Sequence, residues 1–198
     1  MNQERRELLR DAAVDVLAEA GGRGLTHRAV DAVAGVPLGT AKNYFPTRDA
    51  LLRAVAERCL ERYRERADAL AGAGPTDRAG VAALLAGLLR EVAGPGRPRV
   101  LAHLELLAEG ARRPWLAALL DPIAAADFAA HAHLLRGLGA YGTAERARAL
   151  TLVLHGALPY LLAGAPGTLA VAGLDDLDGF ARGVLDAVCP GAPTEPAP

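Results

Sequence analysis

Residues 26–51 read THRAVDAVAGVPLGTAKNYFPTRDAL, and this stretch decides the fold. Thr26 is a strong N-cap, because its hydroxyl can accept from the orphan N–H groups of a first helical turn. Ala29, Val30, Val33 and Ala34 recur at helical spacing and give one apolar face. Gly35 ends that helix, being the residue best able to turn left-handed there. Val36 and Pro37 lead into a second helix predicted over Leu38 to Tyr44, whose Gly39, Thr40, Lys42 and Asn43 form a polar surface. Phe45 and Pro46 close it, and Thr47 caps a third, longer helix with Asp49 in its first turn. Helix, short glycine-containing turn, helix is the arrangement that lays a second helix in the DNA major groove.

Composition agrees with an all-α chain. Of 198 residues, 52% are apolar but only 4% aromatic, so the core is built from Ala, Leu and Val. The first two of these are strong helix formers, and strand-favouring aromatics are scarce. Net charge is −1, which excludes a general nucleic-acid coat. Its distribution is uneven: residues 1–66 carry 12 Lys and Arg against 10 Asp and Glu, and the remainder carries 10 against 13. From Gly21 to Arg53, Arg23, Arg28, Lys42, Arg48 and Arg53 face only Asp31 and Asp49. A local basic face on an otherwise acidic protein suits site-specific docking. Lys42 is the only lysine in the chain.

Cys59 and Cys189 are far apart and belong to no ligand motif, so neither a metal site nor a disulfide framework is expected, and no cofactor. The opening MNQERRELLRDAAVDVLAEAG is charged and amphipathic rather than a secretory leader, giving a cytoplasmic expectation. Ala149 to Leu174 lacks charge over a bilayer-spanning length. Pro159, Pro166, four glycines and His155 interrupt it, so a buried helix plus loop is expected and no membrane contact.

Periodicity predicts about nine helices. A supporting helix runs from Glu4 to Ala20, ended by Gly21-Gly22, and the helix capped by Thr47 runs through Arg66. Further helices cover Arg78 to Val92, Arg99 to Arg113, a short piece from Pro114, Ile123 to Leu138 after a break at Pro122, Thr143 to about Leu162, and Asp175 to Val188. Breaks are expected at 72–77, 94–98 and 164–167, and the proline-rich tail 191–198 is expected to be disordered.

Thr26 before an Ala/Val-rich helix, Ala34-Gly35-Val36 at the turn, Gly39-Thr40, Tyr44-Phe45, Arg48 and Leu51-Leu52 together resemble the DNA-binding head of the tetracycline-repressor (TetR) family of bacterial transcriptional regulators. The match covers about a quarter of the chain. Two positions depart from the family's usual residues: Lys42 stands where Tyr is frequent, and Arg48 where Lys is frequent. Both substitutes are cations, which keeps phosphate contact and leaves base preference at Lys42 open.

The resemblance implies a head over residues 1–50 and a helical effector-binding and dimerisation body over 51–190. It implies a homodimer formed by the helices at about 143–162 and 175–188, reading a palindromic operator whose half-sites lie about one helical turn, or a multiple, apart. Lys42 and Asn43 are the candidates for base edges, Lys toward guanine and Asn toward adenine. Thr40 offers a hydroxyl and a methyl, Leu38 a partner for a thymine methyl, and Gly39 close backbone approach. Arg28 would reach groove or backbone, while Thr26, His27, Tyr44 and Arg48 would touch phosphates. Candidate pocket residues are His103, Leu107, Trp115, Phe128, His131, His133, His155 and Tyr160, though His131 and His133 stand two apart and make a poor chelating pair. The function implied is a repressor released by a small-molecule effector. A constitutive DNA binder or an activator fits the same head. An all-helical enzyme is the remaining class, but no nucleophile–base pairing or phosphate loop supports one, and no catalytic residue is assigned.

Overall fold

The protein is described from a computed structural model, which covers residues 2–70, 77–139 and 143–190. Those residues form ten helices and no strand: α1 (Gln3–Gly24), α2 (His27–Val33), α3 (Thr40–Tyr44), α4 (Arg48–Leu70), α5 (Arg78–Ala93), α6 (Arg97–Gly110), α7 (Pro114–Arg136), α8 (Ala144–Ala163), α9 (Pro166–Val171) and α10 (Leu177–Val188). Side-chain caps begin most of them. Asn2, Thr26, Asp77, Thr143 and Asp176 each accept from a first-turn N–H, as Thr47 does from Ala50 at 3.0 Å.

Four expectations are corrected. Gly21 does not end α1 outright: it sits at φ 65°, ψ −177° and kinks the chain, after which one more turn reaches Gly24. The second motif helix starts at Thr40 rather than Leu38, because Gly39 adopts φ 91° and caps it. Pro122 does not divide α7, which is continuous from Pro114 to Arg136. A proline there removes one helical bond, to the carbonyl of Ala118, but both residues are exposed and water can take that carbonyl. Leu120 and Ile123, buried to either side, hold the helical register. Finally, the break at 164–167 is only two residues wide, since Pro166 opens the short α9. That added helix gives ten where about nine were expected. The predicted break at 72–77 falls largely outside the described residues, and the tail 191–198 falls there entirely.

The chain packs as two units, Met1–Ala69 with Pro95–Ala124, and Leu70–Gly94 with Ala125–Pro198. In the first, Leu9, Ala13 and Leu17 of α1 meet Val30 of α2, Ala41 of α3, Leu51, Leu52 and Val55 of α4, Leu106 of α6 and Leu116 of α7. The second gathers Val81 and Leu85 of α5, Leu135 of α7, Leu150 of α8 and Ala181 and Leu185 of α10. In the first unit α4, α6 and the first half of α7 share one core with α1, α2 and α3.

An ion-pair lattice reinforces the first unit. Arg10, only 6% exposed, donates to Glu61 at 2.7 Å, to Glu7 at 3.1 Å and to the carbonyl of Ala54. Arg58 reaches Asp11 at 2.5 Å, so α1 and α4 are tied by charge as well as by apolar contact. Within the second unit, Arg78 bonds Asp186 at 2.6 Å and Arg90 pairs with Asp178, joining α5 to α10.

Candidate nucleic-acid interface

Asp31 decides where the recognition helix sits. It lies on α2 and is 1% exposed, yet its carboxylate is fully used. One oxygen accepts from Gly39 N–H and the other from Ala41 N–H, each at 2.7 Å. The carboxylate thus caps α3 from another helix, taking the role that a side chain at position 39, a glycine, cannot perform. Gly35 at φ 63° and Gly39 at φ 91° make the two left-handed bends of the turn, and Val36 N–H returns to Asp31 carbonyl at 3.0 Å. Beneath the turn, Val30, Ala41 and Phe45 are buried.

The outer face of α3 is left to solvent. Leu38 is 74% exposed, and Lys42 and Asn43 project with no protein partner among the described residues. Arg28, exposed on α2, is likewise unengaged. Thr40 donates its hydroxyl to Pro37 carbonyl at 2.5 Å, so that group is already committed to the turn. Thr26 accepts from Ala29 N–H at 3.2 Å, which leaves its own hydroxyl proton for an outside acceptor.

Three residues expected at phosphates have structural duties here. His27 Nε2 carries its proton, since it donates to Phe45 carbonyl at 2.6 Å and so links the start of α2 to the end of α3. Tyr44 hydroxyl lies 3.5 Å from Asn2 carbonyl. Arg48 donates to the carbonyls of Leu25 at 2.8 Å and Gly22 at 2.5 Å. Its guanidinium positions the corner between α1 and α2, and its remaining N–H groups stay able to donate outward. The same corner is gripped from α6: Glu105 accepts from Gly22 N–H at 2.9 Å, and Glu109 lies 4.0 Å from Arg48. Arg113 pairs with Glu109 and lies 3.5 Å from Asp49. Neither Asp31 nor this clasp was identified from sequence. The only available signal for Asp31 was an acid set among the apolar positions of α2, eight residues before the glycine it caps.

The candidate pocket residues divide between the units. His103, Leu107 and Trp115 belong to the first, where Arg53 stacks 4.8 Å above the Trp115 ring. Phe128, His131, His133, His155 and Tyr160 belong to the second. There, Thr151 donates to Ala147 carbonyl, so it must accept from His131 Nδ1–H at 2.9 Å. His155 Nε2 meets Asp127 at 3.1 Å, while His133 accepts from Arg136. The two histidines two apart thus turn to different partners. Burial holds His131 below the ordinary imidazole pKa, with His155 adding to the effect and Asp127 opposing it. The folded protein then resists a proton that the unfolded chain accepts, so stability falls as pH drops through about 6.5. Thermal melts over a pH series should show that slope, and His131→Asn should flatten it. Cys59 and Cys189 are not joined, and burial pushes the Cys59 thiol up to about 11, which leaves it no nucleophile.

On α8 and α10, an apolar cleft of about 280 Å³ is lined by Val153, Phe180, Gly183, Val184, Ala187 and Val188. Leu152 at 62% exposed, Val153 at 42% and Tyr160 at 55% continue the apolar surface of α8. No helix among the described residues is long and apolar enough to cross a membrane.

An all-helical chain with a capped helix–turn–helix in its first unit defines a class of helical regulators. The family model described as the tetracyclin repressor-like C-terminal domain matches residues 76–188. The chain belongs to the tetracycline-repressor family of transcriptional regulators. Among solved structures, the multidrug binding protein EbrR complexed with ethidium is 33% identical, with 94% of this chain and 99% of that chain covered and a TM-score of 0.66. A TetR-family member from Streptomyces coelicolor A3 is 30% identical over 95% of this chain and 99% of that one, at a TM-score of 0.66. A transcriptional regulator from Rhodococcus sp. Rha1 has a TM-score of 0.72 at 19% identity, covering 92% of this chain and 95% of its own, and shares the fold. No curated protein sequence matches the chain.

Proposed function

We propose that this regulator is a cytoplasmic repressor that binds a palindromic DNA operator as a homodimer and is released by a small-molecule effector. The observation that carries the DNA reading is the pinned recognition helix, with Leu38, Lys42 and Asn43 turned to solvent and unpartnered. Lys42 and Asn43, without a hydrogen-bond partner among the described residues and on a helix fixed at its first turn, are preorganised for base edges, and Leu38 stands exposed just before that helix. The effector reading is supported by EbrR, whose structures hold ethidium, proflavin and malachite green. Binding in the helical body would shift α4 and change the separation of two heads whose half-site spacing is fixed. Effector and operator then weaken each other equally, by about 1–3 kcal/mol of coupling.

The test is binding of the purified protein to the intergenic DNA beside its own gene, over a salt series. One palindromic segment should be protected, with affinity falling steeply as salt rises. Lys42→Ala should lose about 1–3 kcal/mol per half-site on that segment and little on unrelated DNA. Binding that stays weak and indifferent to sequence on every segment tried would refute operator recognition. An effector whose affinity is untouched by saturating operator would instead leave a constitutive binder.

A further inference from the structure

We propose that Arg5 and Arg6, at the start of α1, are a second DNA-backbone contact flanking the recognition helix, binding phosphates at the wall of the groove that α3 enters. The proposal rests on the DNA-binding reading above. Its ground is where the fold puts these two cations. Asn2 carbonyl lies 3.5 Å from Tyr44 hydroxyl, and the Arg6 guanidinium lies 5.0 Å over the Phe45 ring. Tyr44 is the last residue of α3 and Phe45 its C-cap, so the start of α1 is docked against the C-terminal end of that helix.

The dimensions say what meets such a neighbour. A helix of five residues is about 7 Å long, and the major groove is about 12 Å wide. Groups that adjoin the end of so short a helix lie over the groove edge, where phosphates stand. Arg5 is exposed, and its guanidinium has no protein partner among the described residues. Arg6 is held by the ring face, which leaves its N–H edge able to donate, because stacking uses the plane of a guanidinium and not its rim.

The neighbouring acids do not cancel the pair. Glu7 is already engaged by Gln3, Arg10 and Arg58. Glu4 alone remains exposed in this turn with no cation paired to it among the described residues. The surface therefore keeps net positive charge beside α3, continuous in sign with Lys42 and Arg28.

Phosphate contacts position a protein without reading sequence, and each one adds to the salt dependence of binding. This gives a signature distinct from that of Lys42. The experiment uses full-length wild type, Arg5→Ala, Arg6→Lys, Arg5→Ala/Arg6→Ala and Lys42→Ala. Each is titrated against a random-sequence duplex and against the protected intergenic segment, from about 50 to 200 mM salt.

Arg5→Ala should weaken binding to both duplexes by the same factor, roughly three- to tenfold, and lower the salt slope by about 2 for a dimer that loses one contact per head. The Arg5 side chain has no hydrogen-bond or ion-pair partner among the described residues, so the melting temperature of Arg5→Ala should not move. Arg6→Lys, which keeps charge but weakens the stack, should retain most of the affinity. If Lys42→Ala removes the preference for the protected segment while Arg5→Ala and the double variant leave affinity and slope unchanged, this proposal is overturned and the recognition helix stands. If wild type binds neither duplex even at low salt, both readings fall together.

Discussion

Asp31→Ala should cost at least a hundredfold in operator affinity while leaving the chain folded. The carboxylate is the shared acceptor for Gly39 and Ala41 N–H, and Ala41 is fully buried. Removing it leaves an orphan N–H inside, a penalty of about 1–3 kcal/mol. That loss falls on a helix of five residues, too short to hold its first turn unaided. The first-unit core draws mainly on α1, α4, α6 and α7 and survives, so the melting temperature should fall by a few degrees only. Asp31→Asn should be intermediate: its amide offers one acceptor where two are needed, and its NH₂ confronts a second donor. Affinity measured on the protected segment beside thermal melts decides the matter. Wild-type affinity in Asp31→Ala would mean that burial of Val30, Ala41 and Phe45 places α3 without the carboxylate.

The same residue shows what a sequence discloses and what it withholds. Thr26 and Thr47 were legible as caps because a cap lies within three residues of the N–H it serves. The left-handed Gly35 was legible for the same local reason. Asp31 caps a helix that is not its own, across eight and ten residues, so its role appears only once two helices are docked. For Arg48 the resemblance implied a phosphate contact and said nothing of its bonds within the protein. Its partners, Gly22 and Leu25, lie more than twenty residues back, and no local pattern links them. Pro122 misled for the complementary reason. A proline's local preference is to break a helix, but the apolar contacts of Leu116, Leu120 and Ile123 outweigh one lost bond at an exposed carbonyl. As for the pocket candidates, aromatic and histidine residues on apolar helices have ample bland uses, and His131 with Thr151 is one of them.

Gly183→Arg should convert the regulator to a single chain in solution and remove high-affinity operator binding with it. Gly183 lies on α10 in the apolar cleft shared with Val153 of α8, and a Cβ added there meets nothing within 4 Å of the same chain. The isolated subunit therefore accommodates the substitution, and arginine is the better helix former by roughly 0.5–1 kcal/mol. Any damage must come from whatever covers the cleft in the assembly. If that is α8 and α10 of a second copy, a charged, extended side chain is forced into an apolar contact and the interface opens. Two heads then bind independently, and the gain from tethering them, typically 10²–10⁴-fold, disappears. Gly87→Arg supplies the control: Gly87 is exposed on α5 and equally unobstructed, so it adds the same charge away from the cleft. Light scattering should give two chains for wild type and Gly87→Arg but one for Gly183→Arg, with operator affinity following the mass. A dimer that persists in Gly183→Arg would move the interface off α10. A monomer that still binds the palindrome tightly would show instead that one head suffices, and the spacing mechanism for effector release would have nothing to act on.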